Sequence, residues 1–322
     1  MSYAVASLFA GGWGATALDA YAASDFPNRP VRLINPYSPG GSVDLVGRAV
    51  AHGLTEIWGQ QVIVDNRPGA GTQIGSEIVA RAEPNGYTML VNSSAIVINP
   101  SIYRKMRYDP IKDLYPIAEV SKSSPMLAIH PGVPATNVKE LIALAKAQPG
   151  VLTSAASGIG STNHLSAEMF KLLAGVDILI VPYKGGGPAI IDLVAGQVKM
   201  FVNSAFQFLP LAKAGKLRIL GSGAAERVDY APDIPTIAEQ GVPGYEASTW
   251  YGVYGPAGLS KPMAEQWNAA INKWLQSPQG VEHFRKNYMK RVGGTLESFA
   301  AFHRSEIDRW GKVVRAAGIK PQ

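Results

Sequence analysis

From Arg29 onward the chain alternates short runs of β-branched and other apolar residues with longer stretches whose apolar residues recur every three or four positions. This alternation restricts the fold to α/β architectures, because a strand followed by an amphipathic helix returns to its own sheet by a crossover and builds mainly parallel pairs. Residues 31–34, 62–64 and 87–91 are the first predicted strands. Between the first two, a helix is expected to start near Ser42, to carry Val43, Val46, Val50, Leu54 and Ile57 on one stripe, and to stop at Gly59. A second helix opens near Thr72 after the turn Pro68-Gly69-Ala70-Gly71, and the third strand leads into Asn92-Ser93-Ser94.

The length of 322 residues, 47% of them hydrophobic and 17% charged, exceeds one ordinary core, so two lobes are expected. Around residues 121–134 Ser, Pro and Gly bracket a short strand at 126–129, and Asn137 with Glu140 forms a capping-box-like helix start. The first crossing between lobes is placed there. Further strands are read at 152–155, 178–181, 200–203 and 217–220, each followed by loop and helix. The turn-rich residues 230–235 lead into 245–254, a candidate return crossing. Trp267, Ile271 and Trp274 mark one C-terminal helix stripe, and Ile307, Trp310, Val314 and Ala317 another. The expected organisation is a signal peptide at 1–23, a discontinuous first lobe of 24–125 plus 228–322, and a second lobe of 126–227.

Residues 3–10 are apolar and Ala20-Tyr21-Ala22 has the small-x-small form of a signal-peptidase site, which points to export and a periplasmic location. No Lys or Arg precedes Arg29, so the usual basic n-region is missing, and an upstream translation start would supply it. The alternative is an ordinary buried helix. Gly11, Gly12, Gly14 and Asp19 interrupt the roughly 20 apolar residues a membrane span needs.

Thirty basic residues against 24 acidic leave a net charge of +6 without any run of five like charges, so no nucleic-acid partner is expected. The absence of cysteine excludes thiolate zinc sites, iron–sulfur clusters, disulfides and a cysteine nucleophile. The five histidines are scattered, so no metal is expected. Gly215-Lys216 and Gly311-Lys312 lack the Ser or Thr of a phosphate loop, and neither Gly69-Ala70-Gly71 nor Gly158-Ile159-Gly160 has the third glycine of a dinucleotide turn. No cofactor is therefore expected, and no serine sits in a Gly-x-Ser-x-Gly elbow. His164 near Ser161 could act as a base but lacks a visible orienting carboxylate, and a histidine in a first helical turn equally caps or packs.

Three Gly- and Ser-rich loops, residues 37–44, 157–163 and 182–188, each lie between a strand and a helix. The first N–H groups of a helix have no internal partner and carry partial positive charge, so they can receive a carboxylate. The competing reading is that these loops are only helix caps, which favour the same residues. Asp44 could accept from a ligand or simply be stabilised by its helix N-terminus. Asn92 and Ser93 follow a strand where open α/β sheets bind ligands, or form a polar turn. Tyr37, Tyr183, Phe206 and Trp250 are candidate apolar walls, and Lys184 is either a cationic contact or a solvated surface group.

The blocks Pro36-Tyr37-Ser38-Pro39-Gly40-Gly41-Ser42-Val43-Asp44, Val64-Asp65-Asn66-Arg67-Pro68-Gly69-Ala70-Gly71 and Pro84-Asn85-Gly86-Tyr87-Thr88 occur in order. Asn99-Pro100, Tyr108-Asp109-Pro110, Gly160-Ser161-Thr162-Asn163-His164-Leu165 and Val181-Pro182-Tyr183-Lys184-Gly185 follow, then Pro235-Thr236-Ile237-Ala238-Glu239-Gln240-Gly241 and Gly255-Pro256-Ala257-Gly258. On these blocks the chain resembles the periplasmic solute receptors of tripartite tricarboxylate transporters, the Bug or TctC-like family. The resemblance implies a two-lobe periplasmic-binding-protein fold, a Venus flytrap whose interlobe cleft closes on a small carboxylate. It further implies membrane transporter subunits as partners and no catalysis; a monomer is expected. The ligand-holding positions it implies are Gly40, Gly41 and Ser42, Ser161 and Thr162, and Tyr183, Lys184, Gly185 and Gly186. At residues 199–204 this chain departs from the acidic pattern common in the family, and Asn203 stands where an acidic contact is possible. That neutral residue favours a plain carboxylate or an aromatic acid beside Tyr37 and Trp250 over an amino acid. A periplasmic carboxylate sensor, or an enzyme acting in the same cleft, are the competing functions.

Overall fold

In a computed structural model describing residues 26–321 except Lys184 and Ala317, the alternation seen in the sequence becomes two mixed sheets with helices packed on both. The expected signal peptide, Ala317 of the last helical stripe and Lys184 lie outside the described residues. The chain opens with β1 (Val31–Asn35), α1 (Ser42–Trp58), β2 (Val62–Asn66), a 3₁₀ turn (Ala70–Thr72), α2 (Gln73–Ala80), β3 (Thr88–Ser93), α3 (Ala95–Ile102) and β4 (Leu114–Ser123). It then passes into β5 (Pro125–Ile129), α4 (Val138–Ala147), β6 (Thr153–Ala156), α5 (Thr162–Ala174), β7 (Leu179–Pro182), α6 (Gly186–Val194), β8 (Met200–Ser204), α7 (Ala205–Lys213) and β9 (Arg218–Ser222). It returns through β10 (Thr249–Pro256) to α8 (Lys261–Gln276), α9 (Pro278–Lys286), β11 (Lys290–Arg291) and α10 (Leu296–Ala316).

The first sheet has the order β11-β4-β10-β3-β1-β2 and the second β7-β6-β8-β5-β9. The pairs β1–β2, β1–β3, β6–β7 and β6–β8 are parallel, as a strand–helix alternation dictates. β10 and β5 run antiparallel to their neighbours. Both adjoin a crossing: β4 and β5 are separated only by Ser124, and β10 opens with Thr249 paired to Ser123. Residues 228–247, expected with the first lobe, pad the second sheet instead. Ile237 N donates to Ser222 O (2.8 Å), Ala247 N to Gly223 O (2.9 Å), and Gln240 Nε2 to Leu220 O (2.7 Å). This turn-rich stretch has no strand period of its own, so its polar groups are satisfied by the edge strand β9.

α1 forms as its stripe requires: Val46, Val50 and Leu54 are fully buried, each worth roughly 1.5–3 kcal/mol. Its end is Gly59 at φ 68°, whose N–H donates to Thr55 O. α8 lays Trp267, Ile271 and Trp274 against the same core. Asn137 accepts from Glu140 N, the helix start expected for α4. A continuous apolar cluster including Ile102, Phe170, Tyr245 and Trp310 joins the helices of both sheets behind the space between them.

Candidate functional site

The polar loops expected to cap helices meet at a cavity of about 660 Å³ between the two sheets. Its lining includes Ser42, Ala95, Thr162 and Gly186, the first residues of α1, α3, α5 and α6, and Thr72 and Ser204, which immediately precede α2 and α7. Residues at the N-terminal ends of six helices therefore border one space, α3 also lining it along its flank through Ala95 and Asn99. Each such terminus favours an anion by about 0.3–1 kcal/mol when exposed and up to about 2 kcal/mol when partly buried. Among the described residues the lining contains no Asp, Glu, Lys, Arg or His. The polar groups of the described lining are peptide groups and neutral side chains.

The first loop is held from behind. Gly40, at φ 87°, donates its N–H to Asp44 Oδ2 (3.0 Å), and the same carboxylate accepts from Arg48 Nε (2.8 Å), Asn66 Nδ2 (2.9 Å) and Asn35 Nδ2 (3.2 Å). Burial by itself would raise the Asp44 pKa, but the bonds from Arg48, Gly40 and Asn66 outweigh it and hold the carboxyl at about 2. Asp44 does not line the cavity; it fixes the loop whose Gly40, Gly41 and Ser42 do. Gly41, which precedes α1, offers no side-chain cap, which leaves the first amides of the helix open. Tyr37 lines the cavity with its hydroxyl 2.7 Å from Ser93 Oγ, and Ser93 lines it too.

The second loop folds on itself. Ser161 Oγ donates to Gly158 O (2.8 Å) and accepts from His164 N (3.2 Å), while His164 Nδ1 accepts from Gly160 N (3.1 Å). The ring therefore bonds a backbone amide and not the Ser161 hydroxyl, so the base–nucleophile contact considered for this pair is not formed. Asn163 Nδ2 donates to Asn203 Oδ1 (3.0 Å), and Asn203 Nδ2 to Gln207 Oε1 (2.8 Å), a chain of neutral amides along the wall. Gly185, at φ 121°, begins α6 without a side-chain cap, so Gly185 and Gly186 present bare backbone. Residues of the two sheets also touch directly: Ser42 Oγ lies 3.4 Å from Ser204 Oγ, and Ser94 Oγ 3.4 Å from Thr162 Oγ1.

Three expected contacts lie elsewhere. Besides Asp44, Asn92 is fully buried and donates to Ser76 Oγ (3.1 Å), because side chains alternate along β3 and only Ser93 faces the cavity. Tyr183 turns back to donate to Asp192 Oδ2 (2.8 Å), and burial together with Asp192 pushes its pKa up to about 12. Trp250 and Phe206 are also absent from the lining, where the neighbours Tyr251 and Gln207 take their places. Trp250 is buried and donates to Glu306 Oε2 (2.9 Å). Tyr251 is buried near Ser42, Ser204 and Ser123; burial raises its pKa to about 12 against the hydrogen bonds of those hydroxyls.

Sequence reasoning missed Thr72, Asn99, Tyr103, Gln207 and Tyr251. Thr72 and the nearby Ala70 both have positive φ, at 79° and 46°, a conformation that costs non-glycine residues energy and persists only when neighbours enforce it. Asn99 Nδ2 enforces it by donating to Gly71 O (2.7 Å) and Thr72 Oγ1 (3.1 Å). The signal available was the Gly-Ala-Gly-Thr run, read only as a turn.

Residues 46–319 match the family described as tripartite tricarboxylate transporter family receptor. The chain belongs to this family. The receptor is 36% identical to protein BugT of Bordetella pertussis over 92% of each chain. Its structure is similar to that of an R. palustris protein solved with adipate, with a TM-score of 0.87 and 35% identity over 92% of the receptor and 100% of that chain. It is also similar to MatC of Rhodopseudomonas palustris with bound malate, with a TM-score of 0.81 and 28% identity over 90% of the receptor and 100% of that chain. The receptor has the two-lobe periplasmic-binding-protein fold, and its cavity is the interlobe cleft. No helix among the described residues is long and apolar enough to cross a membrane.

Proposed function

We propose that the receptor captures a small carboxylate in the periplasm and passes it, chemically unaltered, to the membrane subunits of a tripartite tricarboxylate transporter. The observation that carries this reading is that six helix N-termini border a cleft with no charged side chain among its described lining residues. Such a site receives an anion through main-chain N–H groups and hydroxyls. The adipate and malate held by two similar structures are acids of the size and charge that suit it. Non-enzymatic function is supported by the Ser161 hydroxyl and the His164 ring each being committed to backbone partners. Tyr37, Gly40, Gly41, Ser42, Ser93, Ser161, Thr162, Gly185, Gly186 and Asn203 are assigned to ligand contact, with Thr72, Asn99 and Tyr251 added. The proposed lobes are residues 26–123 with 249–321, and residues 125–247, and the receptor is proposed to act as a monomer. Closure on the ligand would be driven by the contacts made only when both lobes engage it.

The test is thermal unfolding of the receptor with adipate, malate and a panel of mono-, tri- and aromatic carboxylates. A ligand at a hundred times its Kd stabilises by about 2.7 kcal/mol. At least one acid is expected to raise Tm by several degrees and to be recovered unchanged. A panel that leaves Tm unmoved would refute carboxylate capture, and recovery of an altered acid would refute transport without chemistry.

A further inference from the structure

We propose that His164 is a positioning residue of the cleft: its unprotonated Nδ1 is the acceptor that pins the turn at residues 158–160, so that protonating the ring loosens one wall of the ligand site. The inference rests on the reading of this cleft as the ligand site. Gly160 N donates to His164 Nδ1 at 3.1 Å, and a proton on Nδ1 would replace that bond with two hydrogens facing each other. The side chain is only 10% exposed, so water does not substitute readily for the lost acceptor.

The turn is placed where its position matters. Gly158, Ile159 and Gly160 all line the cleft. Gly160 has φ 77°, and a Cβ there would lie 2.8 Å from Ile102 of α3, so the turn is wedged between the His164 ring and the opposing lobe. The charged groups that act on the ring are Glu168, with Oε1 3.8 Å from Nε2, and Lys171, which pairs with Glu168 at 3.2 Å. Both are on α5. The turn itself offers the ring only the Gly160 amide, and the α3 side chain behind that turn is the uncharged Ile102. Burial lowers the His164 pKa below its usual 6.5, Glu168 opposes this and Lys171 adds to it. The sign follows: the ring is neutral and the turn pinned at pH 7.5, and the pinning is lost as pH falls through the lowered pKa.

The experiment compares wild type with His164→Asn, which places a non-titrating oxygen acceptor where Nδ1 stands, and with His164→Leu, which has no acceptor. Without ligand, Gly160 amide exchange, corrected for its intrinsic pH dependence, and the His164 ring titration are followed by NMR from pH 7.5 to 4.5. In parallel, adipate binding is measured by calorimetry over the same range. In wild type, Gly160 exchange is expected to accelerate in step with ring protonation, by up to about tenfold for each pH unit while the pH is still above the pKa and the protonated fraction grows, and to level off below it. In His164→Asn it is expected to stay flat, and in His164→Leu to be fast at every pH. The fall in adipate affinity should be steeper for wild type than for His164→Asn, a comparison that cancels the titration of adipate itself. Equal pH profiles for wild type and His164→Asn would overturn the proposal, as would wild-type Gly160 protection in a folded His164→Leu. If His164→Leu does not fold, the Asn comparison decides alone. If adipate binds neither protein, the affinity comparison is run with an acid that raises Tm in the panel, and Gly160 exchange decides the role of His164; a panel with no binding acid overturns the carboxylate reading alone.

Discussion

Asp44 provides the sharpest quantitative test of how the first cleft loop is held. Its side chain is 5% exposed, and the carboxylate collects donors from Gly40, Asn35, Asn66 and Arg48. A carboxyl held at about 2 in the folded protein against an ordinary value of 3.8 contributes roughly 2.5 kcal/mol at neutral pH. Arg48 is half exposed, so solvent screening makes that figure an upper bound. Because the folded pKa is depressed, the contribution is complete above pH 3.8 and is lost as pH falls toward 2, with about half remaining at pH 3. Asp44→Asn keeps the size but turns an NH₂ toward at least one of four donors. Urea unfolding of wild type and Asp44→Asn at pH 7 should therefore differ by about 2 kcal/mol, and the gap should narrow to about half at pH 3. Ligand stabilisation should be reduced in the variant as well, because Gly40 and Gly41 are no longer oriented. A difference below about 0.5 kcal/mol at pH 7, or one that does not shrink on acidification, would refute the account of Asp44 as the anchor of that loop.

Gly41→Val should fold with nearly unchanged stability, since a Cβ there meets nothing within 4 Å; its side chain enters the cleft, so the Tm rise given by a bound acid should vanish. Gly53→Ala should destabilise by about 1–3 kcal/mol in urea melts, because the added carbon would overlap the Trp274 ring that α8 lays on α1. Asn99→Leu should cost about 1–3 kcal/mol of stability and weaken adipate binding in calorimetry, since it releases the turn through Gly71 and the strained Thr72; an unchanged Kd would remove Asn99 from the site.

Most of the strand–helix order was legible because short-range periodicity carries it: β1, α1 with its stop at Gly59, β2, β3 and the α8 stripe fall where their apolar residues recur. What the pattern concealed has local reasons. α3 reads Ala-Ile-Val-Ile-Asn-Pro-Ser-Ile, a β-branched run containing Pro100, and is helical because its long-range setting overrides propensity. β4, the ten-residue strand that leads to the first crossing, contains Pro116 and charged residues that mask a strand period. Missing α3 also hid Asn99 and Tyr103, two lining residues that no loop motif announces.

The amino-acid order by itself determined the α/β class, the helix starts rich in Gly and Ser, and the absence of a metal- or cofactor-binding motif, since each depends on residue types at fixed short spacing. Only the tertiary structure decided which side of each strand those starts faced. Neighbouring residues point to opposite faces, so Ser93 and Tyr251 reach the cleft while Asn92 and Trp250 are spent in the core. The same holds for Asp44, whose one carboxylate could serve a ligand or its own loop until the positions of Gly40, Asn35, Asn66 and Arg48 around it were known.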